Sequence, residues 1–264
     1  MKLIKPSVEW LPQEPTLEGA KKIIEVAGRT CFKSGDKITD NSYKQFYNRM
    51  KRLGHLSVLE HGSIYLKINI LKNPVKALFY ALNKFSKIKV RGLNAYVSSN
   101  LRVIEEGNRS KDTKYICKPT KYHDKRYTFR IITSRVISQQ FMRHRVISFS
   151  QESQRYCNYS KGKFNNELQF INPIWYEDCS SEAIALYEAH MEHTEKTYFS
   201  LIKEGLPAED ARDALLNGIK TEFICTGYKS DFLGNFHKLR SHHTAQKPIR
   251  IQEKEIYNTI KQDD

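Results

Sequence analysis

The chain has 264 residues, 39% of them apolar and 11% aromatic, which suits one large domain or two small ones and excludes a disordered chain. No apolar run reaches membrane-spanning length, and the opening MKLIKPSVEW lacks the long apolar stretch and cleavage site of a signal peptide, so a cytoplasmic location is expected. The formal charge of +15 admits a polyanion binder or a lysine-rich solvated surface; the lysines are spread without a block of five or six, which favours the surface reading with a local basic pocket for nucleotides.

Taken in chain order, 17–28 places apolar residues at helical spacing. Segment 40–53 opens on Asp40 and Asn41 as candidate caps and puts Tyr43, Phe46, Tyr47, Met50 and Leu53 on one face, with Gly54 ending it. Residues 61–70 alternate and predict a strand; 73–85 predict a helix with Asn73 as cap and Pro74 in its first turn. The polar stretch 105–125 reads as an exposed connection. Residues 126–132 predict a strand and 133–142 a helix that runs into Arg143. Residues 181–204 give the clearest helix, with Ile184, Tyr187, Met191, Thr194, Tyr198 and Leu201 on one stripe before Gly205. A helix from Pro207 to about Asn217, a strand over 219–227, a helix from Ser230 to Arg240 and a helical C-terminus follow. The mixture defines an α+β fold, a central, mostly antiparallel sheet flanked by helices, read as a single domain over 1–264.

Five cysteines, Cys31, Cys117, Cys157, Cys179 and Cys225, form no CxxC pair, so neither a disulfide framework nor a zinc cluster is indicated, and most are expected to be small buried fillers. His237, His242 and His243 cluster without an evident fourth ligand, so no metal is expected. There is no GxGxxG, P-loop or HExxH.

The densest polar segment is Arg143 to Tyr156, fourteen residues holding three arginines, three serines, two glutamines, a histidine and a glutamate. A guanidinium matches phosphate oxygens two at a time, and hydroxyls and backbone amides complete an anion cradle. The segment therefore reads as a phosphate or nucleotide site, with a solvated helix end as the bland alternative.

Arg143-His144-Arg145, seven residues, then Ser153 resembles the signature of the flavin-dependent thymidylate synthases, and Arg155-Tyr156 extends the match. Other positions are similar in the same order: His55, Ser57 and Glu60-His61 upstream; Phe129 and Gln140 before the signature; Ala211-Arg212 before Leu215; Lys220-Thr221-Glu222; Asn235 with Leu239-Arg240; and Ala245-Gln246. The resemblance runs from about residue 40 to 250, with 71–125 as an insertion between the first and second strands. Departures are Leu216 in place of a proline, Gln151 in place of an acid found in some members, and Gly227-Tyr228-Lys229-Ser230-Asp231, with a one-residue insertion, where an Asn-x-Arg near 228–231 holds the flavin.

The resemblance implies a homotetramer with sites shared between subunits, which converts dUMP to dTMP with FAD, using NADPH and methylene-tetrahydrofolate as co-substrates. It assigns Ser57, Arg143, His144, Arg145, Gln151 and Asn235 to the cofactor. It assigns Gln140, Arg143, Gln151, Ser153, Arg155, Arg212 and Arg240 to dUMP, with Arg240 facing the pyrimidine as the catalytic residue. No cysteine nucleophile is implied. A nucleic-acid-binding protein and a relative acting on another pyrimidine nucleotide are the alternatives. Neither nucleic acid nor membrane is an expected partner.

Overall fold

The computed structural model describes residues 1–263. The strands are β1 (Lys2–Ile4), β2 (Ser7–Trp10), β3 (Ser63–Asn69), β4 (Lys87–Arg91), β5 (Asn94–Asn100), β6 (Arg126–Ser134), β7 (Ser148–Gln151), β8 (Gln169–Ile171) and β9 (Lys220–Tyr228). The helices are α1 (Leu17–Phe32), α2 (Ser42–Arg52), α3 (Pro74–Leu82), α4 (Leu101–Glu106), α5 (Arg135–Met142), α6 (Ser181–Lys203), α7 (Ala208–Ala211), α8 (Lys229–Asp231), α9 (His237–Arg240) and α10 (Lys247–Gln262). The fold is α+β. Its largest sheet has the order β2-β6-β9-β7, antiparallel throughout. The sheet is not alone: β3-β5-β4 forms a second antiparallel sheet, and β1 pairs parallel with β8.

Alternation along β9 decides what each face of the main sheet carries. Phe223 and Cys225 point into a core shared with Tyr127, Phe129 and Ile131 of β6, Phe141 of α5 and Ile249, Ile256 and Ile260 of α10. Ile224 points the other way, into a core built by α1, α2, β3 and β5. A third cluster joins Phe170 of β8 to Met191 and Tyr198 of α6, the middle of the stripe read from the sequence. α1 starts at Thr16, whose hydroxyl accepts from Gly19 N at 2.9 Å. It packs closely on the turn before β3: a Cβ on Gly62 would lie 2.6 Å from Ile24 Cδ1 and 3.0 Å from the Ala20 carbonyl oxygen.

Several local expectations are corrected. Asn41 and Asn73 sit at N-cap positions, but neither side chain makes a capping bond. Asn73 Oδ1 instead accepts from Tyr115 Oη at 2.9 Å. The 105–125 stretch is not simply an exposed connection: Asp112 and His123 are buried, the former bonded to Tyr80 Oη and Lys76 Nζ. The 71–125 segment supplies α3, β4, β5 and α4, and β4 and β5 complete the second sheet with β3. The helix expected from Pro207 to Asn217 shrinks to α7 and a 3-10 turn at Arg212–Ala214. The helix expected over 230–240 is interrupted by a π-type turn at Phe232–Phe236, where Gly234 takes non-helical angles. Of the cysteines, Cys157 and Cys225 are buried, whereas Cys179 is exposed. Among the described residues no helix is long and apolar enough to cross a membrane.

The two antiparallel sheets meet at Tyr228, the last residue of β9. Its hydroxyl lies 2.8 Å from the Phe85 carbonyl oxygen and 2.9 Å from that of Ser98 in β5. Removing that donor leaves buried acceptors short of a partner, at a cost of about 1–3 kcal/mol. Tyr228→Phe is therefore expected to lower the urea midpoint by a stability loss in that range with an unchanged slope; an unaltered midpoint would show that the sheets do not depend on this contact.

Candidate active site

The Arg143–Tyr156 segment is not one continuous loop. Arg143 is the C-cap of α5, residues 144–147 turn, and Ser148–Gln151 become β7. β7 pairs with β9 from Ser148↔Thr226 to Gln151↔Phe223. Pleating then divides its side chains. Phe149 and Gln151 face α5: the Gln151 amide nitrogen donates to Ser138 Oγ at 2.8 Å and to Thr221 Oγ1 at 3.0 Å. Ser148 and Ser150 face the 3-10 turn Leu56–His61. Ser148 Oγ donates to Glu60 Oε2 at 2.6 Å, and Ser150 Oγ lies 3.0 Å from His61 Nε2.

His61 is fully buried, and its Nδ1 lies 2.8 Å from Thr226 Oγ1, which in turn meets Thr128 Oγ1 at 2.8 Å. Burial, and after it the Arg126 charge, push the His61 pKa down to about 3, so the ring is neutral. One imidazole thus ties β7 to β9, and the Thr226 hydroxyl carries the chain on to β6.

At the Ser148 end of β7 the structure gathers Arg143, His144 and Arg240. Arg240 ends α9, and its pKa is lowered by burial and then by the Arg143 charge. His144 is buried edge-on to Phe236 at 5.3 Å; burial, then Arg240, lower its pKa. Arg240 Nε and His144 Nε2 are buried without a hydrogen-bond partner, and among the described residues Arg143, Arg145 and Arg240 form no ion pair. Like charges held together over orphaned buried nitrogens fit an acceptor-rich, anionic ligand. Gln140 sits at the same helix end and donates to Gln246 Oε1 at 2.8 Å. Asn235 is exposed on the π-type turn, and Ser57 is exposed on the Leu56–His61 turn.

A second group lies beyond the Gln151 end. Ser153 N donates to the Cys31 carbonyl oxygen at 3.0 Å, which fixes the segment on the end of α1. Arg155 pairs with Glu209 of α7 at 2.7 Å, both exposed. Arg212 follows one turn later, close enough for its charge to lower the pKa of Arg135 after burial has done so. At roughly 3.3 Å per residue, β7 alone separates the two arginine groups by about 10 Å. β7 thus stands between Arg143 and Arg155 along the chain.

A cavity of about 430 Å³ lies between α1, β6, β9 and the 163–169 segment, and none of the expected site residues lines it. Its floor is an ion network that sequence reading missed: Lys220 Nζ contacts Glu152 at 2.7 Å, and Lys33 pairs with Glu222, which also meets Arg130 Nε at 3.3 Å. Burial raises the Glu222 pKa, but Lys33, Lys220 and Arg130 outweigh it and hold the carboxyl below its usual range. No helical or strand periodicity encodes these pairs, because the partners come from separate elements. Glu60, whose role in the sequence was only that of a motif member, joins His61 in linking the Leu56–His61 turn to β7.

The fold is α+β, and its arginine-lined end, with unpartnered buried nitrogens, is suited to an anionic ligand. Residues 123–263, just over half of the chain, match the sequence model of the family described as thymidylate synthase complementing protein, and the chain belongs to that family. It is similar to the flavin-dependent thymidylate synthase of Sulfurisphaera tokodaii, with 35% identity over 125 residues covering 47% of this chain and 46% of that protein. The namesake from Geobacter sulfurreducens is 31% identical over 128 residues, covering 48% and 53%. That of Pyrococcus furiosus is 34% identical over 140 residues, covering 52% and 56%. The chain thus spans about half the length of the curated relatives it matches. The family match holds both arginine groups and leaves Ser57, Glu60 and His61 outside it.

The buried neutral His61 has a pH consequence. Its folded pKa lies below the unfolded value, so the unfolded chain binds the extra proton and stability falls as pH drops from about 6.5 towards 3. Between pH 6.5 and 5 this one group should remove about 1.6 kcal/mol, because the slope reaches about 1.36 kcal/mol per unit only below the unfolded pKa. Urea unfolding at both pH values checks it: His61→Gln should be less stable at pH 6.5 and lose less on acidification. An equal loss in both proteins would show that His61 is not the titrating group.

Proposed function

We propose that this chain is a flavin-dependent thymidylate synthase that converts dUMP to dTMP, with FAD as cofactor, NADPH as reductant and methylene-tetrahydrofolate as carbon donor. The single observation that supports this most is the convergence of Arg143, His144 and Arg240 without an ion-paired carboxylate, within the segment that matches the family. The flavin supplies the hydride chemistry when bound. The chain supplies charge and orientation. Arg143, His144, Arg145, Ser57 and Asn235 would hold the cofactor, with the carbonyl oxygen of Gln151 as an acceptor. Gln140, Arg143, Gln151, Ser153, Arg155 and Arg212 would hold dUMP.

Arg240 would act on the pyrimidine. Its guanidinium, already partly desolvated, stabilises negative charge as it develops on the O4 side of the ring, in the manner of an oxyanion hole. Burial that strengthens this interaction does not cost the residue its charge, because guanidinium stays protonated. We read the site as shared in a homotetramer, in which Arg155 of one subunit completes the site holding Arg240 of another. The exposed Arg155–Glu209 pair is the kind of surface contact a nucleotide phosphate displaces easily.

Purified protein incubated with FAD is expected to hold it non-covalently. Supplied anaerobically with dUMP, methylene-tetrahydrofolate and NADPH, it should form dTMP; a colourless protein that makes none would overturn the assignment. Arg155→Ala and Arg212→Ala should each weaken dUMP binding roughly ten- to a hundredfold while FAD affinity changes less, as titration of each ligand would show. Arg240→Ala should slow single-turnover dTMP formation by about a hundred- to a thousandfold. Flavin reduction by NADPH should be affected less, and replacement of any one cysteine by Ala should leave synthesis measurable. Normal turnover in Arg240→Ala, or a folded cysteine variant that binds both ligands yet makes no dTMP, would refute this mechanism.

A further inference from the structure

Residues 71–122 lie outside the family match, yet their side chains reach the proposed cofactor site. α4 begins where β5 ends, capped by Asn100, whose side chain accepts from Val103 N at 3.2 Å. In its first turn Arg102 directs its guanidinium to two carboxylates: Nη1 to Glu60 Oε1 at 2.6 Å and Nε to Glu106 Oε1 at 2.8 Å. The other Glu60 oxygen accepts from Ser148 Oγ, and the Glu60 carbonyl oxygen accepts from Arg126 Nη2 at 3.0 Å. Glu60 is therefore held by donors from α4, β7 and β6. Ser148 is the first residue after the turn that carries His144 and Arg145.

Neutralisation matters as much as position. An uncompensated carboxylate at Glu60 would put a negative charge one hydrogen bond from Ser148, where the turn bearing Arg143–Arg145 ends. The segment holds a second corner as well: Lys87 of β4 contacts Asp231 Oδ1 at 2.9 Å and Asp124 Oδ2 at 3.2 Å, and lies 4.4 Å above the Tyr228 ring. That turn, 229–231, is where the sequence lacks the family's flavin-holding Asn-x-Arg.

We propose that Arg102 is a positioning residue for the flavin site: by clamping and neutralising Glu60 it fixes Ser148, and through it the turn bearing Arg143–Arg145. The 71–125 segment is thereby a working part of the cofactor site. This rests on the flavin reading above, so the test has one arm that needs no flavin. Amide hydrogen exchange of residues 144–148 is compared in ligand-free wild type, Arg102→Ala, Arg102→Lys, Glu60→Gln and the Arg102→Ala/Glu60→Gln double variant, and FAD and dUMP affinities are titrated in each. Arg102→Ala should accelerate exchange at 144–148 and weaken FAD binding about tenfold, with a clearly smaller loss for dUMP, which draws only Arg143 from that turn. Arg102→Lys should recover most of the loss, and the double variant should be no worse than the weaker single one. If Arg102→Ala fails to fold, Arg102→Gln takes its place in every arm. Unchanged exchange together with unchanged FAD affinity overturns the proposal, as does an equal loss for both ligands. Wild-type protein that binds no FAD sinks the flavin reading instead, while faster exchange in Arg102→Ala would still establish the clamp.

Discussion

The imidazole of His61 holds β7 against β9 from one side of the main sheet, one nitrogen on Ser150 and the other on Thr226. Both ring nitrogens are used, so the ring is a rigid spacer between two hydroxyls whose rotors adapt to its tautomer. Everything around the arginine site depends on where β7 lies. It is four residues long, an edge strand, and has β9 as its only ladder partner in its sheet. Without the contacts to His61 and Glu60, little besides Phe149 and Gln151 would set its register, and a slip of one residue would exchange Ser148 and Ser150 for Phe149 and Gln151 on the turn side.

The strand explains why one dense polar segment gives two separate groups of arginines. Arg143, His144 and Arg145 precede β7, and Ser153 and Arg155 follow it. A rigid element between them keeps each group apart within the chain and presents each at the surface. Like charges at one end raise the energy of the empty site and lower it again when an anion binds. A site completed by another copy fits this arrangement, because neither group is neutralised by its own chain except through the exposed Arg155–Glu209 pair.

Much of this was legible in residue order. Helical spacing placed α1, α2 and α6 and alternation placed β3, since each of these buries one face against a core, while β6, α5 and β9 were read as strand- or helix-like runs. What escaped had causes in tertiary contact. β4 and β5 carry lysines, serines and asparagines; β5 takes its strand character from pairing with β3 on one side and β4 on the other, with Ala95 and Val97 as its buried apolar residues. The break at Gly234 was hidden because Phe232 and Phe236, on either side of it, both reach the α5 core as a continuous helix would require. At the site, the arginines were visible as a pattern. The Arg102–Glu60–Ser148 chain was not, because its members lie 42 and 88 residues apart.

Subunit complementation tests the central claim most directly, that one chain carries two half-sites which become whole only between copies. Arg155→Ala and Arg240→Ala proteins are unfolded, mixed and refolded together, and turnover is measured in the mixed oligomer at a dUMP concentration far below the Kd of the weakened Arg155→Ala site. The account predicts that activity returns well above the sum of the two separately refolded variants, because some sites in the mixture draw both intact arginines from different subunits. Activity that stays at that sum, in an oligomer shown to contain both variants, would contradict it.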